Sequence, residues 1–309
     1  MIRPIVKVGT PGLGLALSGG GLKGVAHIGV LQVLEENGIR PRMIAGTSAG
    51  AIVAALYAVG VRPRDMEKIA LALKGRDILD WSFGLGTAFW VALQSICGGV
   101  SVLVDRAPEG LLKGQRLQQL VRQLTGRKRI DQITLPLAIV ATDVDTGERI
   151  VFTNWRQAPN RPVNRTCFIR EVSLDAAVRA SMAIPGVFEP IRLGGRTLVD
   201  GGISDNIPTE ILAWMGADPI VAVNLGFHQP QRKAENILNI VMRSLDVLVS
   251  ETSDVELKHY SSLVITPPIS GVGLGDVEKV ADCIKIGVES TRQALPAIRK
   301  LLEPRAANL

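Results

Sequence analysis

Short apolar runs alternate along this chain with longer stretches in which apolar positions recur every three or four residues, and these two periods mark strands and helices. Residues 12–18, GLGLALS, read as a buried strand closed by the glycine turn Gly19-Gly20-Gly21. A helix follows from about Leu22 to Asn37, with Val25, Ile28, Val30, Leu31 and Leu34 on its apolar positions and Gly38 stopping it. Residues 41–46, PRMIAG, form a short second strand, and an Ala-rich helix opens at Ser48. Further buried strands are expected at 135–144, 197–202 and 219–226, and helical patterns at about 114–124, 205–215, 234–257 and 276–302. Strands spaced by helices predict an α/β fold with a mostly parallel sheet covered on both faces. No internal repeat or low-complexity linker divides the chain.

Composition narrows the class. The chain has 309 residues, 47% hydrophobic and 21% charged, with 35 Lys+Arg against 29 Asp+Glu for a net charge of +6. That mix excludes a disordered or collagen-like chain. The pI near 9.4 tilts any partner toward anionic surfaces, but the excess is mild and no nucleic-acid partner is expected. The densest basic run, Arg127-Lys128-Arg129, reads as a solvated loop. Cys97, Cys167 and Cys283 are far apart and suit reduced core residues of a reducing compartment. The opening residues lack the shape of a signal peptide. A cytoplasmic protein, peripheral at most to the inner face of the membrane, is therefore expected.

Trp81 to Val104 is the oddest stretch, because it carries no charge at all. Four glycines, Gln94 and several hydroxyl residues argue against a spanning helix. A buried connection is one reading. The other is an apolar flap over a lipid-binding groove, touching a membrane surface through Trp81, Phe83, Phe89 and Trp90.

Three local signals carry chemistry. The first is Gly19-Gly20-Gly21-Leu22-Lys23-Gly24, between a strand and a helix. A dinucleotide-binding turn would need a carboxylate some twenty positions on, where the chain has Ile44-Ala45-Gly46-Thr47. What remains is a turn whose N–H groups, at a helix N-terminus, suit some other negative charge. The second is Gly46-Thr47-Ser48-Ala49-Gly50, a G-x-S-x-G between strand and helix, which is the context of a nucleophile elbow. The bland alternative is a Gly/Ser helix cap. The third is Asp200-Gly201-Gly202 at the end of a strand, where open α/β sheets place their sites; an ordinary Asp-Gly turn is its bland alternative.

A serine hydroxyl needs a base, and the chain holds only His27, His228 and His259. The order Ser48…Asp200…His228 would suit a Ser–Asp–His triad. Yet Gly20 and Ser48 are only 28 residues apart, shorter than the spacing in α/β-hydrolases. His27 reads as a packed helix residue and His259 as an exposed one. A two-residue site, with Asp200 taking the proton directly, fits better. Asp200 then has to be buried, since an exposed aspartate titrates near about 4.

The run Gly19 to Leu31, then Gly46-Thr47-Ser48-Ala49-Gly50, then Ala180-Ser181-Met182-Ala183-Ile184-Pro185-Gly186-Val187-Phe188-Glu189-Pro190, and finally Asp200-Gly201-Gly202 with Asn206-Ile207-Pro208 resembles the patatin-like phospholipase family in order and spacing. Lys23 stands where that family often has Arg. The resemblance implies a three-layer α/β/α fold with a catalytic domain over 12–226 and residues 227–309 packed on it as an extension. It also implies hydrolysis of lipid acyl esters by a Ser48–Asp200 dyad. The N–H groups of Gly20, Gly21 and Leu22, joined by that of Ala49, would form the oxyanion hole, with no metal and no cofactor. The expected partner is a lipid or ester substrate, with transient contact at a membrane surface. Acyl transfer to another acceptor and a non-catalytic membrane-binding module are the alternatives.

Overall fold

The computed structural model describes residues 12–78, 80, 82, 109–159, 161–226, 237–273 and 275–303. The expectations for Cys97, for His228 and, but for Ser82, for Trp81 to Val104 lie outside the described residues.

The first half runs β1 (Gly14–Leu17), α1 (Ala26–Glu36), β2 (Met43–Thr47), α2 (Ala49–Ala58), α3 (Pro63–Ala72), α4 (Gly75–Ile78), β3 (Gly110–Leu112) and α5 (Gln115–Leu124). The middle holds β4 (Leu137–Asp143), β5 (Arg149–Thr153), β6 (Thr166–Ile169), α6 (Leu174–Ser181), β7 (Gly186–Phe188), β8 (Ile191–Leu193) and β9 (Arg196–Asp200). Then come α7 (Thr209–Trp214), β10 (Ile220–Val223), α8 (Ile237–Tyr260), β11 (Leu263–Ile265) and α9 (Val280–Leu302).

The main sheet has the order β11-β10-β1-β2-β4-β5-β6, with β9 and β8 attached beside β4. From β11 to β4 every pairing is parallel, as expected for strands separated by helices. The pairing turns antiparallel at β4–β5 and at β4–β9. A tight turn, with Gly147 at φ 67°, joins β4 to β5 and leaves no length for a crossover helix.

Side-chain alternation on these strands builds two cores of different texture. Leu15, Leu17, Ile44, Ile139, Ile150, Phe152, Val221 and Val223 face the larger one, which α1, α2, α5, α6 and α9 cover. The opposite face carries a row of alanines in register, Ala222, Ala16, Ala45 and Ala138, on which Ile211, Leu212, Trp214 and Met215 of the α7 region pack with Leu257 of α8. The result is a three-layer α/β/α sandwich. Residues beyond 226 join both layers. β11 extends the sheet, and α9 crosses α1 where a Cβ on Gly29 would strike the Ile284 carbonyl and one on Gly287 the Ala26 carbonyl. Long α8 leaves Ile240, Val247, Leu248 and Val255 exposed. No described helix is long and apolar enough to cross a membrane.

The helix expected from Leu22 begins as a 3-10 turn over Gly21–Val25, and the α-helix starts only at Ala26. The cause is the preceding backbone, with Gly20 at φ 156° and Gly21 at φ 56°.

Candidate active site

β2 and β9 run toward each other along the same edge of β4. Thr47, the last residue of β2, pairs with Val140; Asp200, the last residue of β9, pairs with the next residue, Ala141. The chain leaves β2 at Ser48, so the serine and the aspartate come together where two opposed strands stop. Sequence reasoning put Asp200 at the C-terminal edge of a parallel sheet. The carboxylate does end a strand, but that strand is antiparallel, and the meeting arises from this head-to-head arrangement.

Ser48 itself sits at φ 53°, ψ −120°, a conformation that L-residues adopt only under restraint. Its neighbours show why they are small. A Cβ on Gly46 would strike the Gly50 carbonyl, one on Gly50 the Leu17 carbonyl, and one on Gly24 the Ala49 methyl. Two hydrogen bonds fix the bend. Ser48 N–H donates to Ser181 Oγ at 2.8 Å, and Thr47 Oγ1 donates to the Asp205 carbonyl at 2.8 Å. The bend is a strained strand-to-helix turn, the backbone shape that a nucleophile elbow requires, and the Ser48 side chain makes no cap hydrogen bond.

Asp200 is 7% exposed. Its Oδ1 accepts the Gly202 N–H at 2.8 Å, and its own N–H donates to the Ala183 carbonyl at 2.9 Å. Oδ2 is buried without a hydrogen bond of normal geometry among the described residues, although the Ser48 hydroxyl lies close enough to favour the charged form. Burial outweighs that hydroxyl and the Gly202 N–H, and lifts the carboxyl to about 6. The segment Ser181–Ala183 thus holds both partners, one through a hydroxyl and one through a carbonyl. Ser181 belongs to a motif visible in the sequence, yet nothing there signals its bond to the elbow.

The glycine turn faces the same point. Gly19 N–H is engaged by Asn206, through Oδ1 at 3.1 Å and the carbonyl at 3.3 Å, and a Cβ on Gly19 would lie 2.7 Å from that Oδ1. The N–H groups of Gly20, Gly21, Leu22 and Ala49 have no acceptor among the described residues, and all four residues line the cavities that meet at Ser48. Lys23 points elsewhere. Its Nζ donates to the carbonyls of Gly226 at 2.9 Å and Leu225 at 3.3 Å, tying the turn to the end of β10. Burial lowers its pKa, with Asp246 opposing.

Two cavities open on the serine. One, about 200 Å³, is walled by apolar side chains including Leu22, Ile52, Val53, Met66, Leu117 and Val121. The other, about 840 Å³, mixes polar and apolar walls; Asp200, Gly202 and Asn206 line it on one side and Asp246, Ser250 and Ser253 of α8 on the other. Among the described residues, the two linings coincide at Gly21, Leu22, Ser48 and Ile184.

His27 and His259 sit as their sequence contexts suggest. His27 is fully buried, with Nε2 2.9 Å from the Ser18 carbonyl. Burial pushes it down to about 4, so it is a neutral imidazole that donates its Nε2 proton. His259 is exposed at the end of α8 and meets Tyr260 edge-on. Cys167 is half-buried and Cys283 buried, both as free thiols.

A family model described as patatin-like phospholipase matches residues 15–213. An uncharacterized NTE family protein of Mycobacterium tuberculosis is 34% identical over 246 residues, 79% of this chain and 57% of its own length. The uncharacterized protein YqhO of Bacillus subtilis is 32% identical over 233 residues, 72% of this chain and 74% of its own. Lysophospholipase NTE1 of Mycosarcoma maydis is 29% identical over 217 residues, 69% of this chain but 10% of its own. This chain therefore spans little more than half the length of the mycobacterial relative and a small part of the fungal one.

Proposed function

Because this chain belongs to the patatin-like phospholipase family, we propose that it hydrolyses acyl esters of lipids, with Ser48 as nucleophile and Asp200 as its base. The observation that carries the reading is the setting of Ser48. A strained residue stands beside a buried carboxyl of raised pKa, where an apolar cavity and a larger one with polar walls adjoin.

The chemistry follows from that setting. An acyl chain enters the apolar cavity, its polar head occupies the larger basin, and the ester carbonyl lies between them at Ser48. Ser48 Oγ attacks the carbonyl carbon and Asp200 Oδ2 takes the hydroxyl proton. The oxyanion forms beside the N–H groups of Gly20 and Gly21, with Leu22 and Ala49 as further donors; removing one such donor typically costs about 2.7–4 kcal/mol of transition-state stabilisation. Asp200 returns its proton to the leaving alcohol. Water then attacks the acyl-enzyme, gives its proton to Asp200, and the collapsing intermediate restores Ser48 Oγ–H as the fatty acid departs. His27 is excluded as the base by its burial and low pKa.

Mass spectrometry after treatment with a fluorophosphonate tests the reading directly. The expected adduct is on Ser48, and it is lost in Ser48→Ala together with fatty-acid release from lysophospholipid or p-nitrophenyl ester. Labelling that persists in Ser48→Ala, or ester hydrolysis that survives it, would overturn the assignment.

A further inference from the structure

Behind the serine, on the alanine-lined face of the sheet, lies a buried ionic cluster that takes no part in the steps above. Arg149, at the start of β5, is its centre. Its Nη1 donates to Asp205 Oδ2 at 3.0 Å, its Nη2 to Glu210 Oε2 at 2.6 Å and its Nε to Thr166 Oγ1 at 2.9 Å. The guanidinium also lies over the Trp214 ring at 5.2 Å. Each of the three guanidinium nitrogens thus has its own partner, which a lysine could not reproduce.

The cluster reaches the candidate site through two consecutive residues. The Asp205 carbonyl accepts the Thr47 hydroxyl, and Thr47 immediately precedes the serine. Asn206 accepts the Gly19 N–H twice, and Gly19 immediately precedes Gly20 and Gly21, whose N–H groups have no acceptor among the described residues. Elbow and glycine turn therefore hang from one dipeptide, and Arg149 fixes that dipeptide through the fully buried Asp205 carboxylate. Glu256 of α8 faces the same carboxylate. Burial and the neighbouring negative charge of Asp205 push the Glu256 carboxyl up to about 9, which favours its neutral form beside that carboxylate.

We propose that Arg149 is a positioning residue for the reaction at Ser48, acting through Asp205 and Asn206 to hold the nucleophile elbow and the oxyanion turn in mutual register. The proposal rests on the assignment of Ser48 as nucleophile. It differs from a purely structural role in what it predicts for chains that are folded. A stabilising ion pair changes how many molecules are folded; a positioning residue changes the rate of each folded molecule.

Exhaustive fluorophosphonate titration counts competent sites, and the rate constant of labelling measures each site's reactivity. Arg149→Lys keeps the charge but not the fork; Thr47→Val removes the hydroxyl that reads the cluster, and Thr47→Ser restores it. We expect Arg149→Lys and Thr47→Val to retain most titratable sites while labelling and ester turnover per site fall at least tenfold. The fall should appear in kcat more than in KM, and Thr47→Ser should recover to within about threefold. Tyr260→Phe, which removes only a hydrogen bond to Glu210 Oε1 at 2.9 Å, should leave the per-site rate unchanged. Per-site rates within twofold of the parent in both Arg149→Lys and Thr47→Val would overturn the proposal while leaving the Ser48 assignment intact. If Arg149→Lys fails to fold, Thr47→Val and its serine rescue decide alone. A parent chain that takes no label at Ser48 removes both readings together.

Discussion

Replacing Asp200 by Asn should stabilise this protein while abolishing its turnover. The carboxyl is displaced from its ordinary 3.8 to about 6 because burial penalises the charged form more than the Ser48 hydroxyl and the Gly202 N–H favour it. Between those two values the folded chain binds more protons than the unfolded one, so stability falls as pH rises through that window and the loss is complete above about 6. A displacement of about two units, at ~1.4 kcal/mol each, puts the cost at roughly 3 kcal/mol at pH 7. It falls to about half that at pH 5 and vanishes below about 3.8. Asn fills the same space, keeps an oxygen for Gly202 N–H and carries no charge to desolvate. Urea unfolding of parent and Asp200→Asn at pH 7, 6, 5 and 4 measures the difference. Its constant part belongs to the exchange of side chains; the part that varies belongs to the carboxylate, since Asp205, Glu256 and every other shifted group are common to both proteins and cancel. A gap that narrows by about 1–2 kcal/mol from pH 7 to pH 5 is expected. A gap independent of pH, or one that widens on acidification, would refute the claim that the folded protein holds this carboxylate against its solvation.

Three further outcomes follow. The acid limb of kcat/KM on a soluble ester should have its midpoint near 6, with about a tenfold fall from pH 7 to pH 5; a midpoint near 4 would mean that the base is an ordinary solvated carboxylate. Ser48→Gly should be more stable than Ser48→Ala by about 1 kcal/mol, because glycine has no Cβ to strain in the left-handed region, and equal melting temperatures would count against the bend seen at φ 53°. His27 should remain neutral and Nε2-protonated in ¹⁵N spectra down to pH 5, since burial holds it at about 4; the cost of refusing a proton that the unfolded chain accepts should then appear as stability lost from pH 6.5 downward. Titration of His27 near 6.5 would contradict its enclosure.

The parts of this fold that were legible in the sequence are those in which one local pattern repeats without interruption. Leu15 and Leu17, then the helical spacing of Ile28, Leu31 and Leu34, then Ile44, mark β1, α1 and β2, because each element buries its apolar positions at its own period. The glycines around Ser48 were legible for the same reason: a backbone approach that excludes a Cβ leaves a local mark in the residue type. What stayed hidden depends on partners distant in sequence. The β5 and β6 strands (RIVFT and TCFI) are short, and their direction is set by the turn at Gly147 and by pairing across the sheet. Ser181, Asn206 and Arg149 are polar residues with no local signature, and their meaning lies in contacts with Ser48, Gly19 and Asp205 over separations of 133, 187 and 56 residues. Lys23 was visible as a charge next to the glycine turn, but only the fold reveals that its ammonium is spent on the carbonyls after β10.

In the proposed mechanism two residues do work elsewhere given to three, and two displaced titrations supply the physical reason. An ordinary imidazole titrates near 6.5 and an ordinary carboxyl near 4. Here those positions are exchanged: Asp200 is lifted to about 6, while His27 is pushed down to about 4. One physical cause, removal from water, acts on both, and its sign follows the charge each group would carry. At pH 7 Asp200 is thus mostly ionised, yet nearly as strong a base as a free histidine. In the proposed mechanism the serine needs no imidazole between itself and the carboxylate. The requirement shifts from a third side chain to the enclosure itself. Any change that lets water reach Oδ2 without touching either residue, such as loosening the Ala183 carbonyl that holds the Asp200 N–H, should return the carboxyl toward 4 and lower its basicity together with the rate.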